Sequence, residues 1–227
     1  MSISALIIGE SGTGKTTALQ NMLPADTMLI QPVRKPLPFR SGSWAYFSKD
    51  DAQANGSSRA GNIFVTDKSD EIVGLMRRTA RNVIVLDDFQ YVLANEFMRR
   101  SEEKGYEKFT DIGRHAWDIL SAANELPGNK RVYIIGHTQS DEFGRTKVKT
   151  IGRMLDEKII IEGMFSIVLR TVVSNGRYSF STRNNGSDTV KTPIDLFKDD
   201  LIDNDLAAVD AAIVEYYSLG GAGRAAA

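Results

Sequence analysis

Between residues 9 and 17 the chain reads Gly9-Glu10-Ser11-Gly12-Thr13-Gly14-Lys15-Thr16-Thr17. The spacing G-x-x-x-x-G-K-[ST] is that of a phosphate-binding loop. Glycines let successive backbone N–H groups turn inward around a polyphosphate, and a following helix points its positive end at the same place. Lys15 is expected to reach the β- and γ-phosphates and the Thr16 hydroxyl to ligate Mg²⁺. A glycine-rich turn matching by chance would need no strand before it and no helix after it. Here Ile3, Leu6, Ile7 and Ile8 form a β-prone run before Gly9, and Thr16 to Leu23 has helical spacing closed by Pro24. The expected ligand is a nucleoside triphosphate.

The second chemical group lies at Val83-Ile84-Val85-Leu86-Asp87-Asp88. Four apolar residues running into an aspartate predict a strand buried on both faces, with Asp87 holding Mg²⁺ at its end. Many ATPases place a glutamate next, as the base that polarises the attacking water. This chain has Asp88, a shorter carboxylate; Asp88 is the expected base, with a second Mg²⁺-site residue or a cap of the next helix as the other readings. A third group follows Val132-Tyr133-Ile134-Ile135: His137, Thr138 and Gln139 stand where a strand should end, at the ligand edge of an open α/β sheet. His137 or Gln139 is expected to sense the γ-phosphate or orient water; the plainer reading is polar residues that begin a loop. His115 has no histidine or cysteine partner at ligand spacing and is expected to serve at the surface or in packing.

The elements that must position these groups follow from pattern. At 227 residues, with 42% apolar and 25% charged content, the chain suits one domain with a full core. One domain over 1–217 is expected, with a loop-rich insertion at 32–61 and a frayed tail at 218–227. Buried strands are predicted at Thr27–Gln31, Asn62–Thr66, Asn82–Leu86 and Val132–Gln139. Helices are predicted from Ser69 (as cap), over Phe89–Met98, across Phe109–Ala123, and within Asp199–Tyr217 with Asp203 or Asn204 as cap. Asn175-Gly176 marks a hairpin within Met164–Phe180, placed antiparallel at the far edge of the sheet. In the insertion, Trp44, Tyr46 and Phe47 form a packing cluster on the main reading and a base-stacking surface on the other.

The chain has no cysteine and a net charge of -1, so disulfides are excluded and any nucleic-acid contact must use local basic patches. No apolar run approaches membrane-spanning length and the amino terminus lacks a signal-peptide pattern, so a cytoplasmic protein is expected. The basic patch is Asp141–Lys158, read as a surface loop carrying Arg145, Lys147, Lys149 and Arg153. These cations are either solvated, or bind nucleic-acid phosphates, or reach a neighbouring subunit's nucleotide.

In their order along the chain, Gly9–Thr16, Lys35-Pro36-Leu37-Pro38-Phe39, Val83–Asp88, Asp141-Glu142-Phe143-Gly144-Arg145 and Leu201–Leu206 resemble small phage-encoded RecA-like P-loop ATPases of the Sak-type single-strand annealing group. The resemblance implies a P-loop NTPase of RecA-like, three-layer α/β/α form, with a mostly parallel central sheet and a C-terminal antiparallel hairpin. It places one additional strand between the nucleotide-binding strand and the Asp87 strand. It implies ATP and Mg²⁺ as ligands, hydrolysis coupled to DNA recombination or replication, a homo-oligomer on single-stranded DNA, and other recombination or replication proteins as partners. A P-loop small-molecule or nucleotide kinase and a nucleotide-switched assembly or packaging factor are the competing expectations.

Overall fold

The computed structural model describes residues 1–48, 61–152, 155 and 158–219. Its strands are β1 (Ile3–Gly9), β2 (Thr27–Gln31), β3 (Ile63–Val65), β4 (Val83–Leu86), β5 (Arg131–Ser140), β6 (Thr146–Val148), β7 (Ile167–Ser174), β8 (Arg177–Ser181) and β9 (Leu201–Asp203). Eight of them lie in the order β3-β2-β4-β5-β1-β7-β8-β9, and β6 pairs with β5. The run from β3 to β7 is parallel throughout. β8 and β9 close the edge in antiparallel pairings. The molecule is therefore α/β with a mostly parallel sheet, and β5 separates β1 from β4.

Alternate residues of each central strand feed two separate cores, the expected result of a side-chain period of two. Leu6, Ile8, Met28, Ile30, Ile84, Leu86, Val132 and Ile134 face one side. There they meet α1 (Ser69–Arg78), α2 (Gln90–Arg99) and α3 (Glu107–Glu125) through Ile72, Met76, Val92, Leu93, Ile112, Ile119 and Leu120. Ala5, Ile7, Leu29, Val83, Val85, Tyr133 and Ile135 face the other side. They meet Leu19, Trp44 and the face of α4 (Leu206–Tyr216) formed by Leu206, Val209 and Ile213. Both faces are covered, which is why β1, β2 and β4 read as continuous apolar runs.

Several elements differ from the expectations. The segment after the Gly9–Thr16 loop is a single 3₁₀ turn, Thr17–Asn21, and not an α-helix. Ala18 N–H makes one α-type bond to Gly14 O, but Leu19 and Met22 bond three residues back, to Thr16 and Leu19. Pro24 disfavours helical geometry before it, and Met22 is already extended, so too few residues remain for a longer helix. The hairpin at Asn175-Gly176 forms, with φ of 51° and 76° at its two turn residues. Its first strand, β7, is not at the edge: it runs parallel to β1 in the interior of the sheet. β5 continues to Ser140, and Asp141–Val148 folds back on it as a hairpin with β6 where a surface loop was expected. The cap of α4 is Asp205, whose side chain accepts from Ala207 and Ala208 N–H, not Asp203 or Asn204. Ser69 is the first residue of α1 rather than its cap, which is Lys68.

The aromatic residues of the insertion pack. Trp44 meets Phe39 edge-on at 6.4 Å between centroids, and Phe47 stacks on Phe64 at 4.9 Å. His115 pairs with Glu96, Nδ1 to Oε2 at 2.8 Å, as a packing residue would. Most of the loop expected over Ser48–Gly61, and the tail beyond Leu219, lie outside the described residues.

Candidate functional site

The parallel strands all end on one edge, and that edge gathers the chemistry. Gly9 ends β1, Asp87 and Asp88 follow β4, Lys35 follows β2, and His137 lies opposite Gly9 in the β1–β5 register. β9 delivers Asp203 and Asn204 to the same cavity, which encloses about 880 Å³. Ligand clefts commonly span roughly 300–1,000 Å³. Ser11, Gly12, Gly14, Lys15, Thr16 and Thr17 line it.

Two glycines of the loop are held by the far end of the sheet. A Cβ at Gly9 would lie 1.8 Å from Thr171 Oγ1, so β7 packs directly on the loop's first residue. Thr171 Oγ1 also lies 2.5 Å from Thr13 Oγ1, which donates to Glu10 O at 2.7 Å. Gly14 has φ of 91°, and a Cβ there would meet Asn204 Nδ2 at 2.6 Å and Tyr178 Cδ1 at 2.9 Å. Asn204 Nδ2 donates to Gly14 O at 2.9 Å. Gly9 and Thr13 thus face Thr171, while Glu10 is exposed and contributes its carbonyl.

Lys15 is 6% exposed and donates from Nζ to Glu10 O at 2.7 Å. Burial lowers its pKa, and the carboxylates of Asp88 and Asp87 oppose that shift. Thr16 Oγ1 donates to Asp87 Oδ1 and Oδ2 at 3.1 and 3.0 Å. Asp87 is buried, and burial followed by the neighbouring Asp88 raises its pKa to about 6. Asp88 adopts φ of 70°, a left-handed conformation that costs about 1–2 kcal/mol for a non-glycine residue. The following Phe89 N–H donates to Ile135 O at 2.8 Å and holds this turn. The strain sits where β4 must stop and α2 begin, and there Asp88 joins the cavity wall.

His137 completes the arrangement. Its Nε2 lies 3.3 Å from Asp88 Oδ1, and its backbone N–H donates to Gln90 Oε1 at 3.1 Å. Burial, then the charge of Lys15, lower its pKa below the usual histidine value, which favours the neutral ring at neutral pH. Gln139 lies further out, opposite Lys147 in the β5–β6 ladder, and does not line the cavity. Thr138 pairs with Val148 in the same ladder. Arg145 ion-pairs within its own turn, Nε to Asp141 Oδ2 at 2.9 Å, while Lys149 is exposed and bonds His137 O through its backbone N–H at 2.7 Å. Arg153 lies outside the described residues.

Sequence reasoning missed Lys35 as a site residue. Its ammonium contacts Asp88 Oδ2 and lies 3.7 Å from Asp87 Oδ2. Burial lowers its pKa, but Asp87, the hydrogen bond to Asp88 and the Asp88 charge outweigh this and leave it raised. Its signals were a cation framed by Pro32, Pro36 and Pro38 directly after a buried strand, and its place in the Lys35–Phe39 piece of the resemblance. Tyr178 and Asn204 were missed too, because their contacts with Gly14 span most of the chain.

A hydroxyl and a carboxylate on adjoining loops suit Mg²⁺, which takes few protein oxygens and relies on phosphate and water for the rest. The described residues contain no group of three or more histidine, cysteine or acidic side chains that could hold a metal ion. Among the described residues no helix is long and apolar enough to cross a membrane. Comparison with known protein families and with curated proteins returns no match for this chain.

Proposed function

We propose that this chain is a P-loop NTPase of RecA-like form that binds ATP with Mg²⁺ and hydrolyses it, acting in DNA recombination or replication on single-stranded DNA as a homo-oligomer. The observation that carries the reading is the convergence of Lys15, Thr16 and Asp88 on one cavity, with Thr16 Oγ1 bonded to the buried Asp87. The placement of β5 between β1 and β4 supports the RecA-like branch.

Backbone N–H groups of Gly12, Thr13 and Gly14 would cradle the phosphates, and Lys15 would leave Glu10 O for the β- and γ-phosphate oxygens. Thr16 and Asp87 would hold the metal, which supplies charge neutralisation across those oxygens. Asp88 would accept the proton of the attacking water as the bond from γ-phosphorus to the β–γ bridging oxygen breaks, releasing ADP and phosphate. The side chain of His137, 3.3 Å from Asp88, would orient that carboxylate. Such chemistry depends on positioning and charge stabilisation more than on covalent participation.

The DNA part of the reading rests on the family resemblance and on the β5–β6 hairpin. That hairpin carries Arg145 and Lys147 and leads into Lys149 beside His137, so cations stand next to the residue that contacts Asp88. The deciding experiment is ATP hydrolysis by purified protein with and without single-stranded DNA at two salt concentrations, beside Lys15→Ala. Turnover that DNA stimulates, that salt weakens and that Lys15→Ala abolishes is the expected result. Turnover unchanged in Lys15→Ala overturns the mechanism. Equal turnover with and without DNA overturns the recombination role and favours a kinase or an assembly factor.

A further inference from the structure

Among the described residues, Lys35 is the one cation lining the site that neither the phosphate-binding loop nor the strands carry. Its backbone is fastened from outside: Tyr46 Oη donates to Lys35 O at 3.0 Å, and the Arg34 guanidinium lies over the Tyr46 ring at 4.3 Å. Its side chain leaves that anchorage and crosses into the cavity wall, where it remains 36% exposed. There the ammonium meets both Asp87 and Asp88, while the opposite oxygen of Asp88 faces His137.

Asp87 and Asp88 are adjacent carboxylates, 1% and 5% exposed. Two buried carboxylates side by side need a nearby positive charge to stay ionised. Lys15 gives its hydrogen bond to Glu10 O, and Lys35 supplies the direct contact. The same carboxylate, Asp87, is the one that Thr16 marks as the metal ligand. An ammonium at 3.7 Å from Asp87 and a divalent cation on Asp87 repel one another, so each weakens the other's hold.

We infer that Lys35 is a resident counter-ion that exchanges with the divalent metal: it neutralises the Asp87–Asp88 pair, yields Asp87 when the metal arrives with the nucleotide, and then binds the terminal phosphate. This rests on the nucleotide reading of the same site and adds to it an order of events. Metal alone binds poorly because the ammonium already holds the carboxylates. Metal carried by a triphosphate binds well because the displaced ammonium gains a phosphate partner. A diphosphate offers that partner less readily, so Lys35 makes the site prefer triphosphate.

The test compares wild type, Lys35→Gln, Lys35→Ala and Lys35→Arg, each checked for folding by its thermal melt. Mn²⁺ is titrated without nucleotide and followed by its electron paramagnetic resonance signal. A fluorescent ATP analogue and the matching ADP analogue are then titrated in the presence of Mg²⁺. Lys35→Gln and Lys35→Ala are expected to bind Mn²⁺ about tenfold more tightly than wild type and to lose about tenfold of the triphosphate-over-diphosphate preference. Lys35→Arg keeps the charge and should bind Mn²⁺ as weakly as wild type. Unchanged Mn²⁺ affinity in folded Lys35→Gln and Lys35→Ala overturns the inference, and so does an intact triphosphate preference. Wild-type protein that binds no triphosphate overturns the nucleotide reading itself, an outcome distinguished by the Mn²⁺ comparison, which uses no nucleotide.

Discussion

Thr171 fills the space that any side chain at residue 9 would need: a Cβ on Gly9 would stand 1.8 Å from Thr171 Oγ1. The Gly9–Thr16 loop is thus shaped by β7 as well as by its own sequence. Gly9→Ala should displace the loop's first residue and weaken triphosphate binding at least about tenfold, since small misplacements in such sites are costly. Thr171→Ala removes the closest clash and leaves Thr13 Oγ1 at 2.8 Å, a hydroxyl then freed of its Thr171 partner, and the Thr171 Cβ at 3.2 Å. The double variant Gly9→Ala/Thr171→Ala should therefore regain part of the lost affinity. Titration with a fluorescent triphosphate measures this, and a double variant no better than Gly9→Ala alone would refute the steric account.

Gly12 and Gly14 both have positive φ, 79° and 91°, but their surroundings differ. No atom lies within 4 Å of a Cβ on Gly12, whereas one on Gly14 meets Asn204 and Tyr178 below 3 Å. Gly12→Ala should cost only the left-handed backbone penalty, about 1–2 kcal/mol. Gly14→Ala should cost more, because it also disturbs the bond from Asn204 Nδ2 to Gly14 O. Urea unfolding of the two variants gives the comparison; equal losses would mean that the β8–β9 edge does not brace the loop.

The groups legible in the sequence were those encoded within a few residues. The glycine spacing, the apolar run into Asp87, and the polar residues after Ile135 each announce themselves locally. The two-faced sheet was legible as well, since strands covered on both sides leave no polar alternation. What could not be read is carried by contacts between distant segments. Lys35 looked like one more cation in a proline-rich insertion until β2 and β4 were seen as neighbours, which brings it onto Asp88. Asp141 to Val148 looked like part of a surface loop because of its cations and glycine; β6 instead pairs with Thr138–Ser140 across the chain's return. The helix expected after Thr16 failed for a local reason that propensity understates, the early stop imposed before Pro24.

Arg131 and Asp210 form a largely buried pair that ties β5 to α4, with Nη2 to Oδ2 at 2.8 Å and Nε to Oδ1 at 2.9 Å. Tyr133 Oη donates to the same carboxylate at 2.6 Å. Asp210→Ala leaves a guanidinium and a phenol without their acceptor and should cost about 3 kcal/mol. For a chain of this length that corresponds to a fall in melting temperature of roughly 6–12 °C. Nucleotide affinity below the melting range should stay the same, because Arg131 lies at the opposite end of β5 from His137. Calorimetry with a binding titration at 20 °C tests both halves of the prediction.

Asp87 should make the protein less stable than it could be. Burial and the adjacent Asp88 raise its pKa from 3.8 to about 6, so the folded state takes up a proton more readily than the unfolded chain. Where the native state binds more protons, stability falls as pH rises. The loss should begin near pH 4, grow through the window up to about 6, and be complete above it. Asp87→Asn removes the ionisation while keeping an oxygen for Thr16 Oγ1. In a chelating buffer without nucleotide, the variant should melt higher than wild type at pH 7.5, by roughly 2–4 °C for each kcal/mol relieved. The advantage should shrink steadily as pH falls from about 6 and vanish only well below 3.8, where the wild-type carboxyl is protonated in both states. A variant less stable than wild type at pH 7.5, or a difference that does not change with pH, would show that Lys15, Lys35 and Thr16 stabilise the ionised carboxylate more than burial penalises it.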